Sequence, residues 1–258
     1  MKKTKIEWCD HTWNPVTGCL GGCAYCYART MVNRFCSRDA PRFGNLHRED
    51  RPVMSQSRHA LPYPFGFEPT YHRYRLDQVR HMKDWQPSNI FICSMADLFG
   101  DWIPASWIVE IFDTLKKADR HNYLFLTKNP DRYLDFAKDG RLPVNHNFWY
   151  GTTVTTGAER YFHSGFWAGF NTFLSIEPVL GDFVENHVGD MIFTNWVIVG
   201  AETGNRKDKV IPKKEWIEKI VEACDRFGIP VFMKDSLIPI VGEENMRRDM
   251  PEQLLKRG

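Results

Sequence analysis

From residue 89 onward the chain repeats one alternation. Short apolar runs rich in β-branched and aromatic side chains stand at Asn89–Ser94, Asn122–Thr127, Phe148–Val154, Thr172–Ile176, Trp196–Gly200 and Ile229–Met233. Helical apolar spacing fills most of the gaps. Pro104–Lys117 sets Trp107, Ile108, Ile111, Phe112 and Leu115 on one face, with Pro104 suited to the first turn. Asp131 is placed to cap a short helix that Gly140 ends. Residues 158–169 give a weaker helix, interrupted by Gly165 and Gly169. Pro212–Phe227 turns Trp216, Ile217, Ile220, Val221 and Cys224 inward and stops at Gly228. Strands that are apolar throughout need cover on both faces, which is the condition of a parallel sheet flanked by helices. With a first strand at residues 12–17, the count is six or seven β/α units. The expectation is an α/β fold, an open or partial (β/α)6-type barrel. No linker or internal repeat divides it, so residues 1–258 are read as a single domain.

The strand at 12–17 runs into the densest chemistry in the chain. Cys19, Cys23 and Cys26 are spaced C-x3-C-x2-C, with Gly18, Gly21 and Gly22 before and between them. Glycine reaches backbone angles closed to other residues, so such a loop can fold tightly and gather three sulfurs. Cysteine thiolates hold iron–sulfur clusters. Three thiolates on a four-iron cubane leave one iron open to a small molecule. A zinc knuckle or a disulfide loop is the plainer alternative. Zinc wants a fourth ligand at regular spacing; none follows, and His11 and Cys36 are the nearest candidates.

Seven cysteines at uneven spacing do not form a disulfide framework. The start, Met-Lys-Lys-Thr-Lys, leads into Ile-Glu-Trp rather than an apolar run, and no stretch approaches the ~20 apolar residues of a membrane span. The expectation is a cytoplasmic, reduced protein with no membrane partner. Cys36, Cys93 and Cys224 are read as small buried hydrophobes, and His11, His47, His72 and His81 show no ligand spacing.

The net charge of +2 is unevenly spread. Residues 29–84 hold eleven Lys or Arg against six Asp or Glu. A helix is expected at 27–35, with Tyr27, Met31 and Phe35 on one side. Beyond it, Pro41, Pro52, Pro62, Pro64 and Pro69 break regular structure. This long insertion, within 29–88, mixes Phe43, Tyr63, Phe65, Phe67, Tyr71 and Tyr74 with arginines. Such a segment is either a solvated face or a nucleic-acid surface, since bases stack on aromatic rings and phosphates pair with Arg.

Active sites of parallel β/α folds lie at the carboxyl ends of the strands. There the chain places Ser94, Met95 and Asp97; Thr127 and Lys128; Thr153 and Thr155; Ser175 and Glu177; Gly200 and Glu202; and Lys234 and Asp235. Asp97, Lys128, Glu177 and Glu202 stand out, because an acid or amine recurs at one structural step. Asp235 and Thr155 are read as ordinary strand ends.

The cysteine spacing, with Tyr25 just before the third thiol, resembles the signature of the radical S-adenosylmethionine (SAM) superfamily. That resemblance implies a 4Fe-4S cluster on Cys19, Cys23 and Cys26 whose open iron chelates SAM. It further implies reductive cleavage of SAM to a 5′-deoxyadenosyl radical, hydrogen abstraction from a substrate, and a reductant such as flavodoxin or ferredoxin. In that family the end of the second strand holds the methionine amine, a place taken here by Ser94, Met95 and Asp97 in place of Gly-Gly-Glu. The resemblance also implies that Tyr25 lies near the adenine. Thr127, Lys128, Thr153, Ser175, Glu177, Gly200 and Glu202 match the later strands that hold the rest of SAM. Ile6-Glu-Trp8, Thr12-Trp-Asn-Pro-Val-Thr-Gly-Cys19, Ser94-Met-Ala-Asp-Leu-Phe99, Leu126-Thr-Lys128, Leu174-Ser-Ile-Glu-Pro178 and Trp196-Val-Ile-Val-Gly-Ala-Glu202 resemble the motifs of an uncharacterised phage- and bacterium-associated radical-SAM-like family. That family is distantly similar to spore photoproduct lyase, which repairs a thymine dimer in DNA. The substrate suggested is DNA, RNA or a nucleotide. The alternatives are radical modification of a peptide, protein or small molecule, and a non-enzymatic interaction module stabilised by metal.

Overall fold

The computed structural model describes residues 2–36, 44–82, 86–165, 169–183 and 191–255. The chain divides into two compact units, 1–125 and 126–258. The fold class is α/β, with parallel strands in the arrangement of a partial β/α barrel.

The first unit begins with β1 (Lys2–Lys3), antiparallel to β2 (His11–Trp13). β2 pairs in parallel with β6 (Asn89–Ile92), and β6 with β7 (Asn122–Thr127). The strand expected at 12–17 is therefore split. Asn14 and Pro15 interrupt it, and its second half, β3 (Val16–Thr17), enters a separate small sheet. There β5 (Thr70–His72) lies between β3 and β4 (His47–Glu49), antiparallel to the first and parallel to the second. Proline has no amide N–H, so Pro15 cannot continue a ladder as a donor; its carbonyl accepts from His72 N–H at 2.8 Å.

Helix α1 spans Tyr27–Phe35. The helix forms as expected, and its side of large apolar residues is the exposed one. Ala28 and Val32 are buried and pack with Met95, whereas Tyr27, Met31 and Phe35 are exposed. The physical reason is closeness: small residues at i and i+4 let the helix lie directly on the segment after β6. The insertion's aromatic rings are covered to different degrees, Tyr63, Phe65, Phe67 and Tyr74 being half-buried. Tyr71 is fully buried against Trp107, and Phe65 stacks on His47. Phe43 lies outside the described residues. A short helix α2 (Val79–Met82) precedes β6. Helix α3 (Ala105–Leu115) buries Trp107, Ile108, Ile111, Phe112 and Leu115, the face expected, with Pro104 standing one residue before the helix as its N-cap.

The second unit carries α4 (Pro130–Lys138) and the parallel series β8 (Phe148–Val154), β9 (Asn171–Ile176), β10 (Val197–Val199) and β11 (Val231–Met233). The N-cap of α4 is Asn129, not Asp131; Asp131 falls in the first turn because Pro130 opens the helix. The helix expected at 158–169 is absent from 158–165, and 166–168 lie outside the described residues. Here the Glu159 carboxylate takes the amides of Thr155, Thr156 and Gly157, at 3.0, 3.0 and 3.1 Å. Those contacts shape a tight loop instead of a helical turn; against the rise from burial, the Thr155 hydroxyl and then the loop's amides hold the Glu159 carboxyl down at about 2. Helix α5 (Lys214–Phe227) buries Ile217, Ile220, Ala223 and Cys224; Trp216 and Val221 are partly covered. Gly228, at φ 65°, ends it in the left-handed conformation that glycine adopts without strain. A one-turn α6 (Ile238–Val241) follows β11.

Candidate functional site

The cysteine loop connects β3 to α1 in the first unit. Its entry is fixed at Gly18, whose φ of 82° is left-handed and whose missing Cβ would lie 2.1 Å from the Glu68 carbonyl oxygen. Gly18 N–H donates to Met95 O at 2.9 Å and Cys19 N–H to Phe67 O at 3.1 Å. At the exit Cys26 is the N-cap of α1, its sulfur accepting from Arg29 N–H at 3.4 Å. The Arg29 guanidinium reaches back to Gly21 O at 2.6 Å and lies over the Phe67 ring. A loop of small residues thus closes on itself around one arginine.

The sulfurs meet backbone donors. Cys19 Sγ accepts from Gly21 N–H at 3.3 Å and from the Asp97 amide. Burial nonetheless pushes the Cys19 thiol up to about 11, and the Asp97 and Cys26 charges add to the rise. A metal ion reverses this logic, because a coordinating thiol loses its proton outright. A Cβ at Gly21 would come 3.2 Å from Cys19 Sγ. Among the described residues, no three His, Cys, Asp or Glu side chains converge on the space of one metal ion.

The segment after β6 meets this loop. The Asn14 carboxamide oxygen accepts from Ser94 Oγ at 3.2 Å and from Met95 N–H at 3.1 Å. Tyr27 OH donates to the Ser94 carbonyl. Phe99 N–H donates to Asp97 Oδ1 at 3.1 Å. Cys19, Ser94, Met95 and Asp97 are therefore brought together, and Tyr25 lies half-buried between Cys23 and Cys26. Asn14 and Arg29 were missed in sequence. The Asn-Pro dipeptide ahead of the loop was the signal for the first; nothing local marked the second.

In the second unit, Thr153 and Ser175 are register partners across β8 and β9. Thr127 is buried and its hydroxyl accepts from Asn129 N–H at 3.0 Å, whereas Lys128 is exposed. Glu177 pairs with Lys234, and Gly200 lies against both. The Glu202 carboxylate, its side chain only 3% exposed, is gripped by both arms of Arg206 at 2.7 Å, which holds it below the ordinary range. Asp235 is taken by Arg248 and Thr155 by Glu159, as ordinary strand ends are.

A parallel β/α sheet with a thiol-bearing loop at its first strands defines a partial-barrel α/β protein. The chain belongs to the family described as "Protein of unknown function (DUF5131)", whose model matches residues 3–242. No curated protein matches it in sequence. Solved structures of spore photoproduct lyase share the fold. A double mutant with bound AdoMet and dinucleoside spore photoproduct superposes with a TM-score of 0.52 at 11% identity, covering 90% of this chain and 78% of that one. A single mutant gives 0.50 at 12% identity, covering 90% and 79%. No helix among the described residues is long and apolar enough to cross a membrane.

Proposed function

We propose that the chain, read as one functional domain, is a radical SAM enzyme. The observation that carries this reading is the C-x3-C-x2-C loop, with backbone N–H groups turned to the sulfurs of Cys19 and Cys26 and the Ser94–Asp97 segment beside it. Hydrogen bonds to sulfur are one of the means by which proteins tune such clusters. Cys19, Cys23 and Cys26 would hold the 4Fe-4S cluster. Tyr25, Ser94, Met95 and Asp97, in the same unit, would bind SAM beside it. The chemistry the bound pair supplies is one-electron cleavage of SAM and hydrogen abstraction from a substrate, the electron coming from a flavodoxin- or ferredoxin-type partner. This chain's residues bind, orient and exclude water. A fold neighbour with AdoMet and a dinucleoside photoproduct bound supports the same class. Anaerobic reconstitution, iron counting and chromatography for 5′-deoxyadenosine test it. Wild-type protein should take up iron and release deoxyadenosine, and Cys23→Ala should do neither; equal release from the variant ends the reading.

We further propose a nucleic-acid substrate. The support comes from an exposed hairpin. Residues 53–61 form a tight hairpin, Leu61 N–H bonding Val53 O and Ser55 N–H bonding His59 O, both at 2.8 Å. Arg51, Val53, Met54, Arg58 and Leu61 are exposed on or beside it, and no acidic residue occurs from 51 to 67. Arginine meets phosphate, and apolar side chains wedge between bases. Oligonucleotide binding followed by fluorescence anisotropy should weaken steeply with salt. Salt-independent or absent binding points instead to a peptide or small molecule.

A further inference from the structure

The small sheet holds a buried chain of polar groups to which the reading above gives no task. His72, on β5, has no exposed surface. Its Nδ1 bonds the Glu49 carboxylate, its register partner on β4. Its Nε2 lies 2.8 Å from Thr17 Oγ1 on β3. With a carboxylate accepting at Nδ1, that nitrogen carries the ring proton, and Nε2 accepts from the Thr17 hydroxyl. Hydroxyl, imidazole and carboxylate in this order also make a nucleophilic triad. Thr17 is 1% exposed, however, so its oxygen cannot reach a substrate.

What the chain of groups does reach is the cysteine loop. Thr17 is followed at once by Gly18 and Cys19. Gly18 is wedged on Glu68 and bonded to Met95 O, and Cys19 N–H is bonded to Phe67 O. The Thr17 side chain thus adds a tie, beside the β3–β5 ladder, to the backbone leading into the first thiol. It is anchored to a histidine that a buried carboxylate orients. Buried groups that orient metal-binding side chains in this way commonly govern how firmly the metal is held.

We propose that Glu49, His72 and Thr17 are positioning residues that fix the presentation of the Cys19 thiol. Their consequence for metal rests on the cluster reading; the presentation of the thiol does not, and can be read in metal-free protein. The variants are Thr17→Val, which keeps the shape and removes the hydroxyl, Thr17→Ser, which restores it, and His72→Gln. Metal-free protein is alkylated anaerobically with iodoacetamide, well below each variant's melting temperature, and Cys19 and Cys26 are quantified by peptide mass mapping. Thr17→Val should raise the Cys19-to-Cys26 ratio about tenfold while Thr17→Ser stays at the wild-type value, a selectivity that general loosening does not give. In reconstituted protein, Thr17→Val should speed iron loss to a chelator by roughly 10- to 100-fold. A wild-type ratio in Thr17→Val overturns the proposal, whether or not His72→Gln folds. If the ratio shifts but wild-type protein binds no iron, the positioning role stands and the cluster reading falls.

Discussion

Lys234 and Glu177 form an ion pair across the ends of β11 and β9, and Gly200, at the end of the intervening β10, leaves just enough room for it. A Cβ on Gly200 would stand 3.1 Å from Lys234 Cδ and 3.3 Å from Glu177 Cδ. Both partners are mostly buried, so Lys234→Met strands a carboxylate at a cost of about 1–2 kcal/mol. Gly200→Val forces the two side chains apart and should cost a similar amount. The double variant should then lose little more than either single one, since both remove the same pair. Urea unfolding midpoints check this; fully additive losses would refute the spatial argument.

Gly18 and Gly22 make a matched test of the loop. Gly18→Ala carries a left-handed strain of about 1–2 kcal/mol and places a methyl on the Glu68 carbonyl, which no rotamer change relieves. Gly22 has a non-positive φ and nothing within 4 Å of its absent Cβ. Gly22→Ala should therefore stay within about 0.5 kcal/mol of wild type. Gly18→Ala should melt well below it and take up less iron.

Acid should act through His72. Burial, and then the Arg75 charge, lower it from 6.5 to about 3. The unfolded chain therefore binds this proton below pH 6.5, and the folded chain does not until about 3. The stabilisation is complete above pH 6.5 and is lost as pH falls through that window, with a slope approaching about 1.4 kcal/mol per pH unit. Glu49 is raised by burial and works the other way, its contribution being present below 4.5 and lost as pH rises. Between pH 7 and 5.5 the histidine's contribution falls as pH falls, opposite in sign to that of Glu49. Unfolding measured at those two values should show a loss in wild type that His72→Gln lacks; parallel curves would exclude it.

Cys93 sits at the end of β6 with φ 59°, and its thiol is pushed up to about 12 by burial. A β-branched residue tolerates that backbone least. Cys93→Val should be less stable than Cys93→Gly by about 2 kcal/mol, although valine fills more of the site; chemical denaturation decides the order.

The strands and long helices were legible because burial is written into them. Asn122–Thr127 and Phe148–Val154 are apolar enough to be covered on both faces, and the apolar spacing of α3 matches its buried face residue for residue. On α1 the small residues Ala28 and Val32 decide the packing, so the side that shares Tyr27, Met31 and Phe35 does not reveal which face is buried. The loop at 158–165 escaped because one carboxylate, Glu159, takes amides that helical periodicity assigns to other partners. The three thiols could be picked out from spacing alone. Their support could not: Glu49 is 23 residues from His72 and Thr17 is 55 residues from it. A histidine with no ligand spacing looks idle until the fold supplies its neighbours.

The placement of β5 between β3 and β4 separates what can be trimmed from what cannot. A shortened version of this chain could lose the 53–61 hairpin and still close the small sheet. Excising Thr70–His72 would take away the bed on which the thiols rest, so the stretch with the least regular sequence includes one of the least dispensable strands.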